Sequence, residues 1–120
     1  MSEAKHTGGC HCGAVRYEVR GLDLSKPVLT CNCSMCGRSG TMLAFVPAAQ
    51  FTLLTDEAAL KDYTFKTNTI HHLFCTTCGI RSFARGAMPD GSPMAAVNVR
   101  CLDDVELDEL QIQKFNGRAA

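Results

Sequence analysis

Seven of the eight cysteines in this 120-residue chain fall into three short clusters, at residues 10–12, 31–36 and 75–78. A glycine directly follows each cluster, as tight turns with positive φ often require. Thiolates two or three positions apart can reach one metal ion, and zinc is the ion that such sets usually hold. Cysteines buried singly in a core would not fall into glycine-flanked groups. The pattern therefore predicts zinc sites.

The rest of the sequence indicates a cytoplasmic protein. Residues 1–9 are polar and lack the apolar stretch of a secretory signal, and no apolar run is long enough to span a membrane. In the reducing cytoplasm, clustered thiols more often ligate metal than form disulfides. With 12 basic and 12 acidic residues, the chain has no basic excess, so we expect no nucleic-acid partner.

The hydrophobic pattern predicts a mainly β fold with little helix. The length fits one zinc-binding domain, residues 1–120. Short strand-like segments lie at residues 14–20, 27–30, 42–46, 51–54, 61–66, 70–74, 81–85 and 95–99. We expect turns or loops at 67–69 and 88–93, a helical turn at 56–60, a short helix within 102–110 and an extended tail over 111–120.

The seven clustered cysteines divide naturally into four plus three. One grouping makes a closed site that clips the N-terminal strand to the central hairpin, from Cys10, Cys12, Cys75 and Cys78. It leaves a site with one open position, formed by Cys31, Cys33 and Cys36. Closed tetrahedral zinc sites are structural, whereas three protein ligands with an exchangeable fourth are typical of catalysis. A different pairing would leave the first cluster open, and spacing alone does not exclude it.

The three clusters resemble those of the glutathione-dependent formaldehyde-activating enzyme family, which includes the centromere protein V domain. The family pattern is G-x-C-x-C-G, then C-x-C-S-x-C-R-x-x-G, then F-C-x-x-C-G. It corresponds here to residues 8–13, 31–40 and 74–79, and residues 96–103 resemble the family's following strand. The similarity runs from about Gly8 to Leu102.

The resemblance implies several short, coiled antiparallel sheets clipped by zinc. It also implies two zinc ions per chain: a structural ion on Cys10, Cys12, Cys75 and Cys78, and a catalytic ion on Cys31, Cys33 and Cys36. Members act on S-(hydroxymethyl)glutathione, which forms from formaldehyde and glutathione, and are classed as carbon–sulfur lyases. The resemblance thus implies glutathione, or another small thiol, as partner.

The chain departs from the family in two ways. The family's arginine after the third cysteine of the second cluster is replaced by Gly37, and Arg38 follows. Arg38 is therefore the candidate to offset charge at the site or to bind a substrate carboxylate, with a solvated surface arginine as the alternative. The chain is also much shorter than the full formaldehyde-activating enzymes, so the resemblance implies fold and metal more directly than substrate.

An open three-thiolate zinc favours exchange of a bound thiol over hydrolysis, because the negative thiolates make a bound water a poor acid. Ser34 and Ser39 are candidates for hydrogen bonds to the thiolates, although turn serines are the ordinary interpretation of Ser39. His71 or His72 could approach as a proton shuttle, but surface histidines are more common. His11 is interpreted as a non-ligand.

Two other functions remain open at this point. One is a non-catalytic binding module in which both zinc ions are structural. The other is a thiol peroxidase or sulfoxide reductase acting through Cys101, whose simplest interpretation is a small buried hydrophobe. Cys101 could also be a fourth zinc ligand. Closure of the second site by Cys101 or a histidine would argue against catalysis there.

Overall fold

The computed structural model describes residues 5–64 and 70–116. Within these ranges the chain forms ten strands and one short α-helix. The strands are β1 Lys5–Gly9, β2 Arg16–Arg20, β3 Val28–Cys31, β4 Leu43–Pro47, β5 Phe51–Leu53, β6 Leu60–Tyr63, β7 His71–Cys75, β8 Phe83–Ala87, β9 Pro93–Asn98 and β10 Ile112–Phe115. Helix α1 is Ser34–Ser39, and 3₁₀ turns lie at Ala48–Gln50, Glu57–Ala59, Val99–Cys101 and Leu107–Glu109.

The strands form two sheets. A three-stranded sheet has the order β1-β2-β5, and a seven-stranded sheet has the order β10-β3-β4-β9-β8-β7-β6. Neighbouring strands are antiparallel except β10 and β3, which pair in parallel from Ile112 opposite Val28. Strand β9 lies at the centre of the larger sheet, where Val97 pairs with both Ala44 and Phe83.

The core lies between the two sheets, and aromatic side chains from both sheets contact one another within it. Strand β2 alternates buried with less buried residues, so that Tyr17 and Val19 face the core. The Tyr17 ring lies 5.0 Å from Phe51 in its own sheet and 5.9 Å from Phe83 in the larger sheet, measured between ring centroids. Such aromatic contacts add to the stabilisation from apolar burial.

The structure confirms the mainly β fold with little helix that the sequence predicts. The extended tail is present as β10, and the helical turn near 56–60 is a 3₁₀ turn in which the Asp56 carboxylate accepts the Ala58 N–H at 2.9 Å. The helix expected within 102–110 is limited to one 3₁₀ turn, Leu107–Glu109. The predicted turn at 67–69 lies outside the described residues.

Strand β1 and helix α1 were not predicted. Residues 5–9 are polar or glycine, and they form a strand because β2 supplies backbone partners from Lys5–Arg20 to Gly9–Arg16.

Among the described residues, none of the helices has the length and apolar character needed to span a membrane.

Candidate metal centres

The first group of cysteines connects the two sheets. The sulfurs of Cys10, Cys12, Cys75 and Cys78 all lie within 4.8 Å of one another. The Cys12 sulfur is 3.6 Å from both the Cys10 and the Cys75 sulfur. Cys10 directly follows β1 of the smaller sheet, whereas Cys75 ends β7 of the larger sheet. Residues 65 positions apart in sequence thereby meet in one site.

Backbone turns hold the sulfurs of this group in place. The Cys10 N–H donates to the Val15 carbonyl at 3.0 Å, and the Val15 N–H donates to the Cys10 sulfur at 3.3 Å. In the second turn, the Cys75 sulfur accepts from the N–H groups of Thr77 and Cys78 at 3.4 and 3.5 Å. Gly79 closes that turn with φ of +79°, which explains the glycine after the cluster.

The first group combines sulfurs that ionise readily with one that does not. The N–H groups of Ile80 and Cys12 lower the pKa of Cys78 to about 6, and those of Cys78 and Thr77 lower the pKa of Cys75. The pKa of Cys12 is raised to about 11, because the lowering effect of the Ala14 N–H is outweighed by Cys75 and the other neighbouring sulfurs together with burial. Adjacent thiolates of this kind require a cation before all of them can ionise.

The second group is built on β3 and the start of α1. The sulfurs of Cys31, Cys33 and Cys36 lie within 4.8 Å of one another and are partly buried. Cys33 is the N-cap of α1, where its sulfur accepts the Cys36 N–H at 3.3 Å, and the Cys31 sulfur accepts the Cys33 N–H at 3.4 Å. Gly40 ends the helix with φ of +71°.

No fourth histidine, cysteine or acidic ligand atom joins the second group within the part of the chain that the structure describes. Burial and the neighbouring Cys33 sulfur raise the pKa of Cys36 to about 12. The structure therefore groups the seven cysteines as four plus three, in the grouping that the sequence analysis placed first. The first group offers four protein ligands and the second offers three, and this number distinguishes a closed zinc site from an open one.

Two of the clefts near these groups share one residue, and a third, of about 240 Å³, is lined in part by Cys31. The central cleft, of about 550 Å³, reaches from Cys10 of the first group and its neighbour His11 to residues 39–41 at the C-terminal end of α1. The α1 cleft, of about 330 Å³, is lined by Ser34, Met35, Arg38, Tyr63 and Arg81. Arg81 lines both clefts.

Arg81 was not identified from the sequence as a site residue. Its guanidinium carbon lies 5.2 Å from the centroid of the Phe74 ring and 6.0 Å from that of Tyr63, and Nη1 donates to the His72 carbonyl at 3.4 Å. Burial lowers the pKa of Arg81, against the attraction of Tyr63 and Cys36. The only sequence signal is its position three residues after Cys78.

Comparison with known proteins identifies the family. The sequence model of the glutathione-dependent formaldehyde-activating enzymes matches residues 5–116. This chain belongs to that family. A crystal structure of a Rhodobacter sphaeroides protein, solved by structural genomics, superposes with a TM-score of 0.79 at 32% sequence identity. The match covers 91% of this chain and 99% of that one.

The structure shows the surroundings of Gly37, the position after Cys36 at which this family member departs from the family pattern. Gly37 lies inside α1, and a Cβ built there would meet only the backbone of Asn32, at 3.4 Å or more. A Cβ is therefore tolerated at this position. Arg38 is exposed and its Nη1 donates to the Ser34 carbonyl at 3.0 Å, one helical turn earlier.

The remaining predicted residues are not part of either group. The Ser39 hydroxyl donates to the Cys36 carbonyl at 3.4 Å rather than to a thiolate. His11 lines the central cleft, and neither it nor His72 is among the sulfur-centred ligand sets. His71 is exposed and bonds through Nδ1 to the Asp62 carboxylate at 2.5 Å.

Cys101 lies outside both ligand groups. Its sulfur contacts the Arg81 carbonyl at 3.8 Å and borders the central cleft. Burial raises the pKa of Cys101, which reduces its thiolate fraction at neutral pH. A reactive cysteine normally has the opposite shift. Cys101 is partly buried; its place outside both groups argues against a fourth ligand, and its raised pKa argues against a nucleophile.

Proposed function

We propose that this protein binds two zinc ions and catalyses the reversible making and breaking of carbon–sulfur bonds between a small thiol, such as glutathione, and an aldehyde, such as formaldehyde. The observation that carries the proposal is the three-sulfur group of Cys31, Cys33 and Cys36, to which the described residues add no fourth ligand. Membership of the formaldehyde-activating family supports the same substrate class.

The two sulfur groups fit zinc by the chemistry of their donors. Four or three cysteine sulfurs close together, with backbone N–H groups directed at them, form the set that zinc prefers over harder ions such as magnesium or calcium. We assign a structural ion to the group of four and a catalytic ion to the group of three. A thiol-dependent lyase of this kind suits the reducing cytoplasm that we expect for it.

A zinc ion held by Cys31, Cys33 and Cys36 would act as a Lewis acid, because coordination to the metal favours the deprotonated form of a small thiol. In the forward direction the thiol sulfur donates an electron pair to the aldehyde carbon, and the carbon–sulfur bond forms. The carbonyl π electrons move to oxygen, which takes up the proton that the thiol has lost. In the lyase direction the hydroxyl loses its proton and the carbonyl forms again, while the electron pair of the carbon–sulfur bond returns to sulfur and the aldehyde is released. The protein contributes the placement of sulfur and carbon in the clefts.

Two measurements test this function. Isothermal titration of the zinc-loaded protein with glutathione should show binding at one site per chain. Exchange NMR with ¹³C-formaldehyde and glutathione should show faster interconversion of formaldehyde and S-(hydroxymethyl)glutathione when the protein is added. Cys33→Ser should abolish both effects, whereas Cys101→Ser, outside both groups, should leave them unchanged.

Other outcomes would assign the protein differently. A zinc-loaded protein that neither binds thiols nor accelerates the exchange would be the non-catalytic binding module. Loss of activity in Cys101→Ser, with both zinc ions retained, would favour peroxidase or sulfoxide reductase chemistry. If the protein catalysed hydrolysis in the absence of any thiol, the predicted preference for thiol exchange over hydrolysis would be wrong.

A further inference from the structure

Arg81 is a half-buried cation beside the three-sulfur group. Its guanidinium lies over two aromatic rings, with the Phe74 centroid at 5.2 Å and the Tyr63 centroid at 6.0 Å. None of the ion pairs among residues 5–64 and 70–116 includes Arg81. A guanidinium removed from water without a carboxylate partner is costly, so an anionic ligand would be favoured there.

The α1 cleft has the charge that an anionic ligand needs. Its five lining residues include two arginines, Arg38 and Arg81, and none of the five carries a carboxylate. Two other lining residues, Ser34 and Met35, lie between Cys33 and Cys36. A ligand whose sulfur occupies the open side of the three-sulfur group could therefore extend a second group into this cleft.

The two arginines differ in burial. Each donates through Nη1 to one backbone carbonyl, Arg38 to Ser34 and Arg81 to His72, but the Arg38 guanidinium is exposed. Arg81 is stacked and partly shielded from solvent, and it borders both clefts. Charge-assisted hydrogen bonds are stronger where water is partly excluded and the donor is already fixed in place. Arg81 is thus the better placed of the two to bind a carboxylate.

We propose that Arg81 binds the carboxylate of the thiol substrate in the α1 cleft and so selects anionic thiols over uncharged ones. The inference rests on the proposed function, because it requires a thiol at the three-sulfur group. It defines the substrate class as small thiols that carry a carboxylate near the sulfur. It also moves the carboxylate-binding role from Arg38, the candidate from the sequence, to Arg81.

A pair of thiols that differ by one carboxylate tests the inference. N-acetylcysteine and N-acetylcysteamine are titrated calorimetrically into the zinc-loaded protein. The wild-type protein should bind N-acetylcysteine about tenfold more tightly, the usual order for one charge-assisted hydrogen bond. Arg81→Met should remove this preference by weakening N-acetylcysteine alone, and Arg81→Lys, which keeps the charge, should retain part of it.

Arg85→Met is the matched control, because Arg85 also stacks on an aromatic ring, with Phe83 at 5.3 Å, but is paired with Glu57 at 2.7 Å. It should keep the full preference. Retained binding of N-acetylcysteamine by Arg81→Met shows that the variant is folded.

The possible failures are distinct. If wild-type protein binds the two thiols equally, or if Arg38→Met abolishes the preference and Arg81→Met preserves it, the inference is wrong and the proposed function stands. If the wild-type protein binds neither thiol, the proposed function fails and the inference fails with it.

Discussion

At the scale of single residues, Gly9 has no room for a side chain. A Cβ built there would lie 2.1 Å from the Val15 carbonyl oxygen, which accepts the Cys10 N–H. Gly9→Ala must therefore displace the turn that carries Cys10, and overpacking of this kind costs about 1–3 kcal/mol. We expect a lower midpoint in urea unfolding of the zinc-loaded protein and faster loss of zinc to a chelator.

Gly86→Ala is the control for this prediction. There a Cβ would meet the flexible end of the Met94 side chain at 3.2 Å. The cost should stay within about 0.5 kcal/mol, as for most substitutions that a neighbour can accommodate. Equal unfolding midpoints for the two variants would contradict the role assigned to Gly9.

The hydroxyl of Tyr17 makes a separate contribution to stability. The side chain is fully buried, and its hydroxyl donates to the Ser82 carbonyl at 3.3 Å. Tyr17→Phe keeps the ring contacts with Phe51 and Phe83 but removes this bond, so we expect a loss of about 1 kcal/mol in unfolding free energy. Urea titration measures it, and an unchanged midpoint would show that the bond contributes nothing.

At the scale of elements, Gly37 lowers the stability of helix α1. A glycine in a helix interior costs up to about 1 kcal/mol relative to alanine. The nearest atoms to a built Cβ are backbone atoms of Asn32 at 3.4 Å and beyond, which is an ordinary contact. Gly37→Ala should therefore raise the thermal midpoint while leaving the metal content unchanged. A lower midpoint would mean that α1 needs the flexibility of glycine.

The two elements that were not predicted from the sequence, β1 and α1, depend on contacts with other segments of the chain or on caps at their ends. The residues of α1 are mostly poor helix formers, and the helix depends on the Cys33 cap and on Gly40 at its end. Strand β1 likewise depends on pairing with β2, because its own residues lack an apolar alternation. Strand β2, with Tyr17 and Val19 buried, was predictable because alternation alone identifies it.

At the scale of the whole molecule, the first cysteine group connects the two sheets and the second does not. Cys10 and Cys12 follow β1 of the smaller sheet, and Cys75 and Cys78 lie at the end of β7 in the larger one. Loss of a ligand there removes binding free energy that is also folding free energy. Cys78→Ser should therefore lower the thermal midpoint much more than Cys33→Ser.

Differential scanning calorimetry with metal analysis tests this difference. Excess chelator should bring the wild-type midpoint down to that of Cys78→Ser or below. Equal losses in Cys78→Ser and Cys33→Ser would mean that the two groups share the structural role.

The cysteine groups could be read from the sequence because ligand spacing is local, but the clefts could not. Cys31, Cys33 and Cys36 lie within six residues, whereas the α1 cleft combines α1 with Tyr63 and Arg81 from distant parts of the chain. Arg81 has no local feature that distinguishes it from an ordinary surface arginine. Its stacking on Phe74 appears only when β7 and the segment after Cys78 fold back on each other.

Cadmium-113 NMR of the cadmium-loaded protein observes each metal site separately. The proposed function predicts two resonances, of which only one shifts when glutathione is added, because only the three-sulfur group has a position to offer. Cys33→Ser should remove or displace that resonance and leave the other in place. Three results would contradict the division into a closed and an open centre. They are a single resonance, two resonances that do not shift when glutathione is added, and a shift confined to the group of Cys10, Cys12, Cys75 and Cys78.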